Sequence, residues 1–344
     1  MKGKEPPSDG GEGITIQPTT VPVTAVNNTI TDCAIGIMVR RGPGHVLTGN
    51  VIENRTLNRT TVGLYANETF WLLSGPATAT ATGNTFRNLT VGVLAGTVKV
   101  LWNNPILWLL TAPDLVLTAN TFTDNDVGVR LRGPFLNNTT FPITWIPGEI
   151  QPLDVEMTRN TLSGNGVGIE VLGPYVDNSP RHDNQSFPVH AWIHDNNTVE
   201  GGTTGIVLRG AAWNGTIFPA DLVLRDNNTV ANFTQYGVWV HNETVGVGNL
   251  TVWWNDVRSV VPGALGVYVT GDPPGPDYFH AECNWWDDAS GPFDPTDPGS
   301  GPPDWNPFGL GQPVSDYFHY KADGLGGVDY WLDTESRFET ECAP

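Results

Sequence analysis

The stretch NTFTDNDVGVRLRG, which begins at Asn120, returns as NTLSGNGVGIEVLG from Asn160 and as NTVEGGTTGIVLRG from Asn197. Each copy contains an asparagine, an apolar residue two places later and a glycine eight places after the asparagine. Repeats of this length are typical of solenoid proteins, because one unit is too small to bury its apolar face and must stack on its neighbours. The sequence therefore predicts a stacked repeat architecture.

The same asparagine recurs along most of the chain. It is found at Asn28, Asn50, Asn84, Asn120, Asn160, Asn197, Asn228, Asn255 and Asn284, at separations of 22 to 40 residues. An alternating apolar run precedes most of these asparagines and another follows most of the glycines, which indicates strands with one buried face. Strands this short and this close leave no room for crossover helices. They predict an all-β fold, a parallel β-helix of about nine coils in which equivalent side chains stack in columns.

This fold assigns a place to each recurrent residue. We expect the asparagine to occupy a corner in the left-handed conformation, bonded to the asparagine of the next coil, and the glycine to occupy another corner with positive φ. The DNNT sequences at Asn197 and Asn228 predict a bulge or a wider corner. One core column is expected at Ile30, Ile52, Phe86, Phe122, Leu162, Val199, Val230, Val257 and Trp286.

The surplus residues of the longer repeats fall mainly after the glycine-containing strand. They predict long lateral loops that leave the coil at one corner, on one side of the cylinder.

Composition divides the chain into three parts. Residues 1–22 are rich in proline and glycine and predict an extended N-terminal arm. ITIQ and TVPVTAV have enough β-branching for the arm to add as a strand to the sheet edge of another molecule, such as a neighbouring copy. Residues 23–289 hold the predicted β-helix. Residues 290–344 lack the repeat and predict an irregular C-terminal cap, since an uncapped solenoid exposes its core.

The tail also carries acidic residues, for which two interpretations are open. They form a polar cap, or they gather around a calcium ion, although their spacing does not match an EF-hand loop. We favour the cap and expect no metal site and no cofactor. The acidic residues concerned are Asp287, Asp288, Asp294, Asp297 and Asp304.

The repeat, together with the closing NWWDDASGP from Asn284, resembles the right-handed parallel β-helix repeat proteins that occur among secreted and archaeal or bacterial surface proteins. The resemblance covers residues 25–290, and Asp287 stands where the similar NWWG-x-x-SGP ending has glycine. It implies a right-handed coil. It does not imply one function, because this class includes lyases, hydrolases, adhesins and structural rods.

The charge balance excludes some partners. The 344 residues carry a net charge of −19 with only 17 Lys and Arg, which predicts no nucleic-acid partner, since such a partner requires a basic stripe. No apolar run reaches the roughly 20 residues of a membrane span, so we expect no membrane-spanning segment.

Sequons for N-glycosylation are more frequent than chance predicts, and they indicate an exported glycoprotein at an extracellular location, most naturally an archaeal cell surface. The alternative is that asparagine and threonine are both favoured at β-helix corners, which accounts for the Asn-Asn-Thr sites at Asn27, Asn196 and Asn227. The predicted glycosylation sites are Asn27, Asn54, Asn58, Asn67, Asn88, Asn137, Asn138, Asn184, Asn196, Asn214, Asn227, Asn232, Asn242 and Asn249.

The three cysteines allow one predicted disulfide. Cys283 in the last coil and Cys342 near the end of the sequence would pin the tail to the rod. Cys33 lies in the first coil, too far from Cys283 to pair within one molecule. It is either a small buried apolar residue or a contact across a head-to-tail junction.

One constellation supports an enzymatic alternative. His194 and Asp195 occupy places on one coil equivalent to those of Arg225 and Asp226 on the next, where each aspartate begins a DNNT corner. Stacked carboxylates about 5 Å apart would suit a retaining glycosidase. The competing interpretation is that each aspartate caps its turn. The chain lacks the signatures of polygalacturonase-like hydrolases and of pectate lyases, so we expect no enzymatic activity.

The combined features predict an extracellular, heavily N-glycosylated structural protein. Its partner is itself, through head-to-tail contacts that build a surface filament or sheath. The alternative is a carbohydrate-binding adhesin or a polysaccharide-cleaving enzyme.

Overall fold

The computed structural model describes 17 segments of the chain. They are residues 11–40, 42–56, 61–67, 69–70, 77–96, 100–101, 110–111, 113–133, 135–137, 153–173, 175–177, 189–213, 216–218, 220–241, 250–270, 279–280 and 284. These segments contain strands and turns and no helix, and none of them could cross a membrane as a helix.

Short strands follow one another along the described chain. The strands of the N-terminal half are β1 (Glu12–Ile16), β2 (Thr24–Val26), β3 (Thr29–Thr31), β4 (Ile35–Val39), β5 (Gly42–Thr48), β6 (Val51–Glu53), β7 (Val62–Asn67), β8 (Thr69–Phe70), β9 (Ala77–Thr82), β10 (Thr85–Arg87), β11 (Val91–Gly96), β12 (Val100–Leu101), β13 (Leu110–Thr111), β14 (Asp114–Thr118), β15 (Thr121–Thr123), β16 (Val127–Arg132) and β17 (Phe135–Asn137).

The C-terminal half continues the same series. Its strands are β18 (Leu153–Thr158), β19 (Thr161–Ser163), β20 (Val167–Leu172), β21 (Tyr175–Asp177), β22 (Val189–His194), β23 (Thr198–Glu200), β24 (Thr204–Arg209), β25 (Ala211–Trp213), β26 (Thr216–Phe218), β27 (Ala220–Arg225), β28 (Thr229–Ala231), β29 (Tyr236–His241), β30 (Leu250–Trp253), β31 (Asp256–Arg258), β32 (Leu265–Thr270) and β33 (Phe279–His280).

Three parallel sheets form the walls of a right-handed parallel β-helix, as predicted. Sheet A has the order β1-β4-β7-β11-β16-β20-β24-β29-β32, sheet B the order β2-β5-β9-β14-β18-β22-β27-β30-β33, and sheet C the order β3-β6-β10-β15-β19-β23-β28-β31. Each coil passes through sheet B, then sheet C, then sheet A. The number of strands per wall confirms the prediction of about nine coils, and the right-handed sense is the one that parallel connections almost always take.

The core is built from columns of aliphatic side chains. Phe86 pairs in register with Ile52 on one side and Phe122 on the other, and the two phenyl rings stack with centroids 5.0 Å apart. The column continues through Leu162, Val199, Val230 and Val257, all of which are buried. The predicted column is thus confirmed from Ile30 to Val257; Trp286 lies outside the described residues.

The lateral insertions leave the coil at one corner. Strands β8, β12, β13, β17, β21, β25 and β26 each follow a strand of sheet A and precede the next strand of sheet B. Successive insertions also pair with each other, since β12, β17 and β21 form a small parallel sheet and β8 pairs with β13. The prediction that the surplus residues lie on one side is confirmed for these described parts of the insertions.

The recurrent glycine does not have the predicted role. Positive φ is absent from Gly92, Gly128 and the equivalent glycines, which lie within the strands of sheet A. A Cβ added to Gly92 would lie 2.5 Å from the carbonyl O of Gly128 and 2.8 Å from Cδ1 of Phe122. The expectation of a glycine corner is therefore wrong: glycine is required because the backbone of one coil approaches the next too closely for a side chain.

Strand β1 lies inside the segment 1–22, for which an extended arm was expected. It pairs in parallel with β4 and contributes the buried Ile16 to the core. The strand-forming residues of this segment thus add to the edge of sheet A in their own chain. Ordered β-structure begins before residue 23.

Candidate functional site

The recurrent asparagines form a continuous ladder at the corner between sheets B and C. Along the ladder from Asn28 to Asn284, Nδ2 of each asparagine donates a hydrogen bond to Oδ1 of the asparagine in the next coil. These bonds are 2.8 to 3.1 Å long. The same Oδ1 accepts a second bond from the backbone N–H of that preceding asparagine, as at 2.9 Å between Asn84 and Asn120. The predicted bonding between coils is confirmed.

Both Nδ2 protons of a ladder asparagine are used. Nδ2 of Asn120 donates to Oδ1 of Asn160 and to the carbonyl O of Ala81, one coil in each direction. Because the amide makes every bond available to it, it can be buried without an unsatisfied polar group. Asn120 is 1% exposed.

The ladder asparagines are not left-handed, contrary to expectation. Positive φ belongs instead to the residue before the ladder, for example Ala119, Arg159 and Trp254. At the two DNNT corners both preceding residues have positive φ, Asp195 with Asn196 and Asp226 with Asn227. The prediction of a wider corner at these two places is confirmed.

A second, shorter asparagine ladder occupies the corner between sheets C and A. Nδ2 of Asn125 donates to Oδ1 of Asn165 at 2.8 Å, and both side chains are buried. Our sequence analysis missed this pair. The signal was available, since each of the two asparagines stands three residues before the glycine of its repeat.

Sequon asparagines and ladder asparagines differ in their exposure to solvent. Of the asparagines whose side chains the structure describes, those with 3% exposure or less are ladder residues, and none of them is the acceptor asparagine of a sequon. The sequon asparagines lie at corners: Asn27, Asn88, Asn196, Asn227 and Asn232 are exposed with positive φ, and Asn54 is half-buried.

The bonding of the sequon amides differs from that of the ladder amides. Nδ2 of Asn88 donates to the carbonyl O of Asn54 at 2.6 Å, and Nδ2 of Asn232 donates to Oε1 of Glu200 at 2.8 Å. A glycosylated amide keeps one N–H, so each of these bonds is compatible with a sugar on the same nitrogen. A ladder amide, which uses both protons, is not.

Several predicted sites are not described in full. Asn67 and Asn137 are the last residues of β7 and β17. The remaining predicted glycosylation sites lie outside the described residues, namely Asn58, Asn138, Asn184, Asn214, Asn242 and Asn249. The cysteines of the expected disulfide, Cys283 and Cys342, and the acidic tail also lie outside the described residues. Cys33 is a free, half-buried thiol that packs against the core.

The outer face of sheet B concentrates ionisable side chains on neighbouring coils. Asp114, Asp154, His190 and Asp221 form one column by register. Nδ1 of His190 lies 2.9 Å from Oδ1 of Asp154, and Nε2 lies 3.3 Å from Oδ2 of Asp221. Each imidazole nitrogen thus faces a carboxylate of an adjacent coil.

The imidazole of His194, beside this column, also lies between two carboxylates. Nε2 of His194 lies 3.0 Å from Oε1 of Glu156, and Nδ1 lies 2.9 Å from Oδ2 of Asp195. The predicted constellation of His194, Asp195, Arg225 and Asp226 is therefore divided: Asp195 contacts His194, whereas Asp226 contacts Arg225 at 3.2 Å. Each aspartate contacts the side chain of the residue before it in the chain, and both aspartates have positive φ.

Sequence reasoning missed Glu156, Asp154, His190 and Asp221. They alternate with core residues along β18, β22 and β27, so their common face was readable from the two-residue period of each strand. Their mutual contacts were not, because these depend on the register between coils.

Three carboxylates lie close together on β14 and β18, in the middle of this face. Partial burial raises the pKa of the Asp114 carboxyl, and the neighbouring carboxylates of Asp154 and Glu156 raise it further. No set of His, Cys, Asp and Glu residues within the described segments has an arrangement suited to a metal ion.

The same face carries exposed aromatic and aliphatic side chains. Trp192 is 48% exposed and lies parallel to the His190 ring with centroids 6.5 Å apart. Val26, Val46 and Trp253 are also exposed on sheet B. The surface can therefore offer both a flat apolar contact and fixed hydrogen-bonding groups.

Comparisons with protein-family models, with curated proteins and with solved structures give no match to this chain.

Proposed function

We propose that this protein is an extracellular, N-glycosylated structural β-helix whose copies associate head to tail into a surface filament or sheath. One observation carries the assembly. In the described segments, β1, β2 and β3 terminate the three sheets at one end, and β32, β33 and β31 terminate them at the other. A second copy placed on the same axis would continue all three sheets with the same parallel pairing.

The edges favour such an addition because an edge strand presents unpaired backbone N–H and C=O groups. The asparagine ladder gives the addition a direction. Oδ1 of each ladder residue accepts from the coil before it, and Asn28 is the first member. Its Oδ1 therefore faces the end of the rod, where the last coil of another copy would supply donors. A contact of this kind between two different ends does not close, so it propagates.

The exposure of the sequons supports glycosylation. The left-handed corner accounts for asparagine at these positions, but it does not require a serine or threonine two residues later. Sugars at the corners would coat the flanks and leave the two ends of the rod for assembly.

A single backbone position tests the assembly. Val51 N–H donates to the carbonyl O of Asn28. In a parallel sheet, the backbone groups of successive residues point alternately towards the two neighbouring strands. Asn28 and Ile30 therefore bond towards β6, and the N–H of Thr31 points away from the rod. Thr31→Pro removes this outward donor and is compatible with an edge strand. We expect filaments of wild-type protein by negative-stain electron microscopy and short rods of Thr31→Pro.

Thr31→Ala is the matched control, because it changes the same side chain and keeps the N–H. It should assemble like the wild type. Intact mass measured on the same native material reports the glycan load. Dispersed rods of the wild type at every concentration, or filaments of Thr31→Pro equal to those of the control, would contradict the head-to-tail proposal.

The outer face of sheet B supports a second candidate function, a carbohydrate-binding or carbohydrate-cleaving surface. An exposed indole beside oriented imidazole and carboxylate groups suits a sugar, which has an apolar face and a polar rim. Cleavage of a soluble polysaccharide that is lost in Asp195→Asn plus Asp226→Asn would favour this function over the structural one.

A further inference from the structure

Trp254 occupies a corner position that suits it poorly. It precedes the ladder residue Asn255 and has a φ of 56°. The equivalent residues of the other described corners are Asn27, Gly49, Gly83, Ala119, Arg159, Asn196 and Asn227, and none of these is aromatic. A bulky residue with positive φ is an outlier, and an observed outlier of this kind is a reason to look for a function.

Trp254 is one of two adjacent indoles at this corner. Trp253 projects from the outer face of sheet B and is 37% exposed, and Trp254 is half-buried. The ring centroids are 5.9 Å apart and the planes are inclined by 56°. Nε1 of Trp254 is buried and has no hydrogen-bond partner within the described structure. The pair thus offers the exposed ring of Trp253 with the half-buried ring of Trp254 beside it.

A sequon lies directly against this pair on the preceding coil. The backbone N–H of Asn227 donates to the carbonyl O of Trp254 at 2.8 Å, and that of Asp226 donates to the carbonyl O of Trp253 at 3.2 Å. Asn227 is exposed and begins the sequence Asn-Asn-Thr that ends at Thr229. A sugar on Asn227 would therefore leave the chain about one coil spacing, roughly 4.8 Å, from the backbone that carries the two indoles.

We propose that the first sugar of a glycan on Asn227 packs on the Trp253–Trp254 pair. The C–H face of a pyranose ring matches an exposed indole surface such as that of Trp253. This inference rests on the proposed N-glycosylation and adds a role for one glycan: it covers two tryptophans that the corner leaves open and is held in place by them.

The Asn27 site provides a matched comparison. It has the same Asn-Asn-Thr sequence at the same corner, ending at Thr29, but the neighbouring coil presents Gly49 instead of tryptophan. A glycan on Asn27 has no aromatic surface at the equivalent place. The two sites therefore share the sequon and differ in the neighbour, and the Asn227 corner is also wider by one residue.

The test is a double-mutant cycle on natively glycosylated protein. Thr229→Val removes the sequon and keeps a β-branched residue, and Trp254→Asn installs the residue that Asn227 provides at this corner. Thr229→Val should lower the melting temperature of the wild type by about 1–2 °C, the shift of a modest contact in a chain of this size. It should have almost no effect in Trp254→Asn, and Trp254→Phe should restore part of the shift.

The control change, Thr29→Val, should shift the melting temperature equally with and without Trp254. Glycopeptide mass spectrometry at Asn227 separates the two ways to fail. An unmodified Asn227 overturns the proposed glycosylation at this site together with the inference. A modified Asn227 with equal Thr229→Val shifts in both backgrounds overturns the inference alone and leaves glycosylation standing.

Discussion

At the residue scale, asparagine has two separate roles in this protein. A ladder asparagine such as Asn120 lies in the core and donates and accepts on both sides. A corner asparagine such as Asn88 lies at the surface, and its main contribution is a backbone conformation that other side chains resist. The same amide group is therefore structural in one place and available for modification in the other.

The ladder role predicts a large cost for Asn120→Ala. The change deprives Nδ2 and N–H of Asn84, the carbonyl O of Ala81 and Oδ1 of Asn160 of a partner. Buried groups left without a partner cost about 1–3 kcal/mol each, so we expect a loss of about 3 kcal/mol or more in the free energy of unfolding. Thermal denaturation followed by circular dichroism measures the loss.

Asn88→Ala is the comparison for this change. It removes an exposed amide with one hydrogen bond and places alanine at positive φ, for which we expect about 1 kcal/mol. Similar losses for Asn120→Ala and Asn88→Ala would show that burial of the ladder amide adds nothing to stability.

At the element scale, the strands of sheet A are determined by how closely successive coils approach. Gly92 lies between the backbone of the next coil and the ring of Phe122, with no space for a methyl group. Gly83 lies at a corner with a φ of 64° and open space where a Cβ would be. Two glycines of one coil are thus required for different reasons.

This difference predicts unequal effects of the same substitution. Gly92→Ala should destabilise the protein by about 2–3 kcal/mol, because the new methyl group forces two coils apart. Gly83→Ala should cost only about 1 kcal/mol from its backbone conformation, and Ala119 already occupies the equivalent corner of the next coil. Melting temperatures of the two variants give the order, and a greater loss for Gly83→Ala would refute the close-packing explanation.

The outer face of sheet B is a product of register between elements. His190 reaches carboxylates on β18 and β27, and His194 reaches a carboxylate on β18. None of these contacts is made within one strand. A shift of one coil by a single residue would bring these side chains to the core face and break both networks.

At the scale of the whole molecule, the described rod has three kinds of surface. The insertions leave at the corner between sheets A and B, and the exposed sequons lie at the other two corners. The ends carry the terminal strands of three sheets. This division motivates the proposal that the ends assemble while sugars and insertions cover the flanks.

The directional ladder also bears on the whole molecule. Every bond between ladder asparagines in the described part of the chain runs in one sense, with the earlier coil donating and the later coil accepting. If two copies met through the same end, their ladders would present only donors or only acceptors to each other. The proposed assembly is therefore polar, with every copy pointing the same way.

Much of this architecture could be derived from the chain alone. The spacing of Asn84, Asn120 and Asn160 determined the repeat, the column through Phe86 and Phe122, and the corner at which the insertions leave. These features depend on a periodicity that each coil copies from the previous one, so local sequence contains them. The presence and position of the sequons are likewise properties of the sequence.

Only the tertiary structure decided which asparagine is buried, why the glycine is needed and which charged groups meet. Partners in these contacts are 22 to 40 residues apart in the chain. Asn196 and Asn197 are neighbours of the same residue type, but only Asn197 is buried. Its orientation depends on the positive φ of the corner residues before it and on Asn228 of the next coil, whose Oδ1 accepts its amide hydrogen bond. The Trp254 and Asn227 pair arises in the same way, because stacking brings together residues that no local pattern connects.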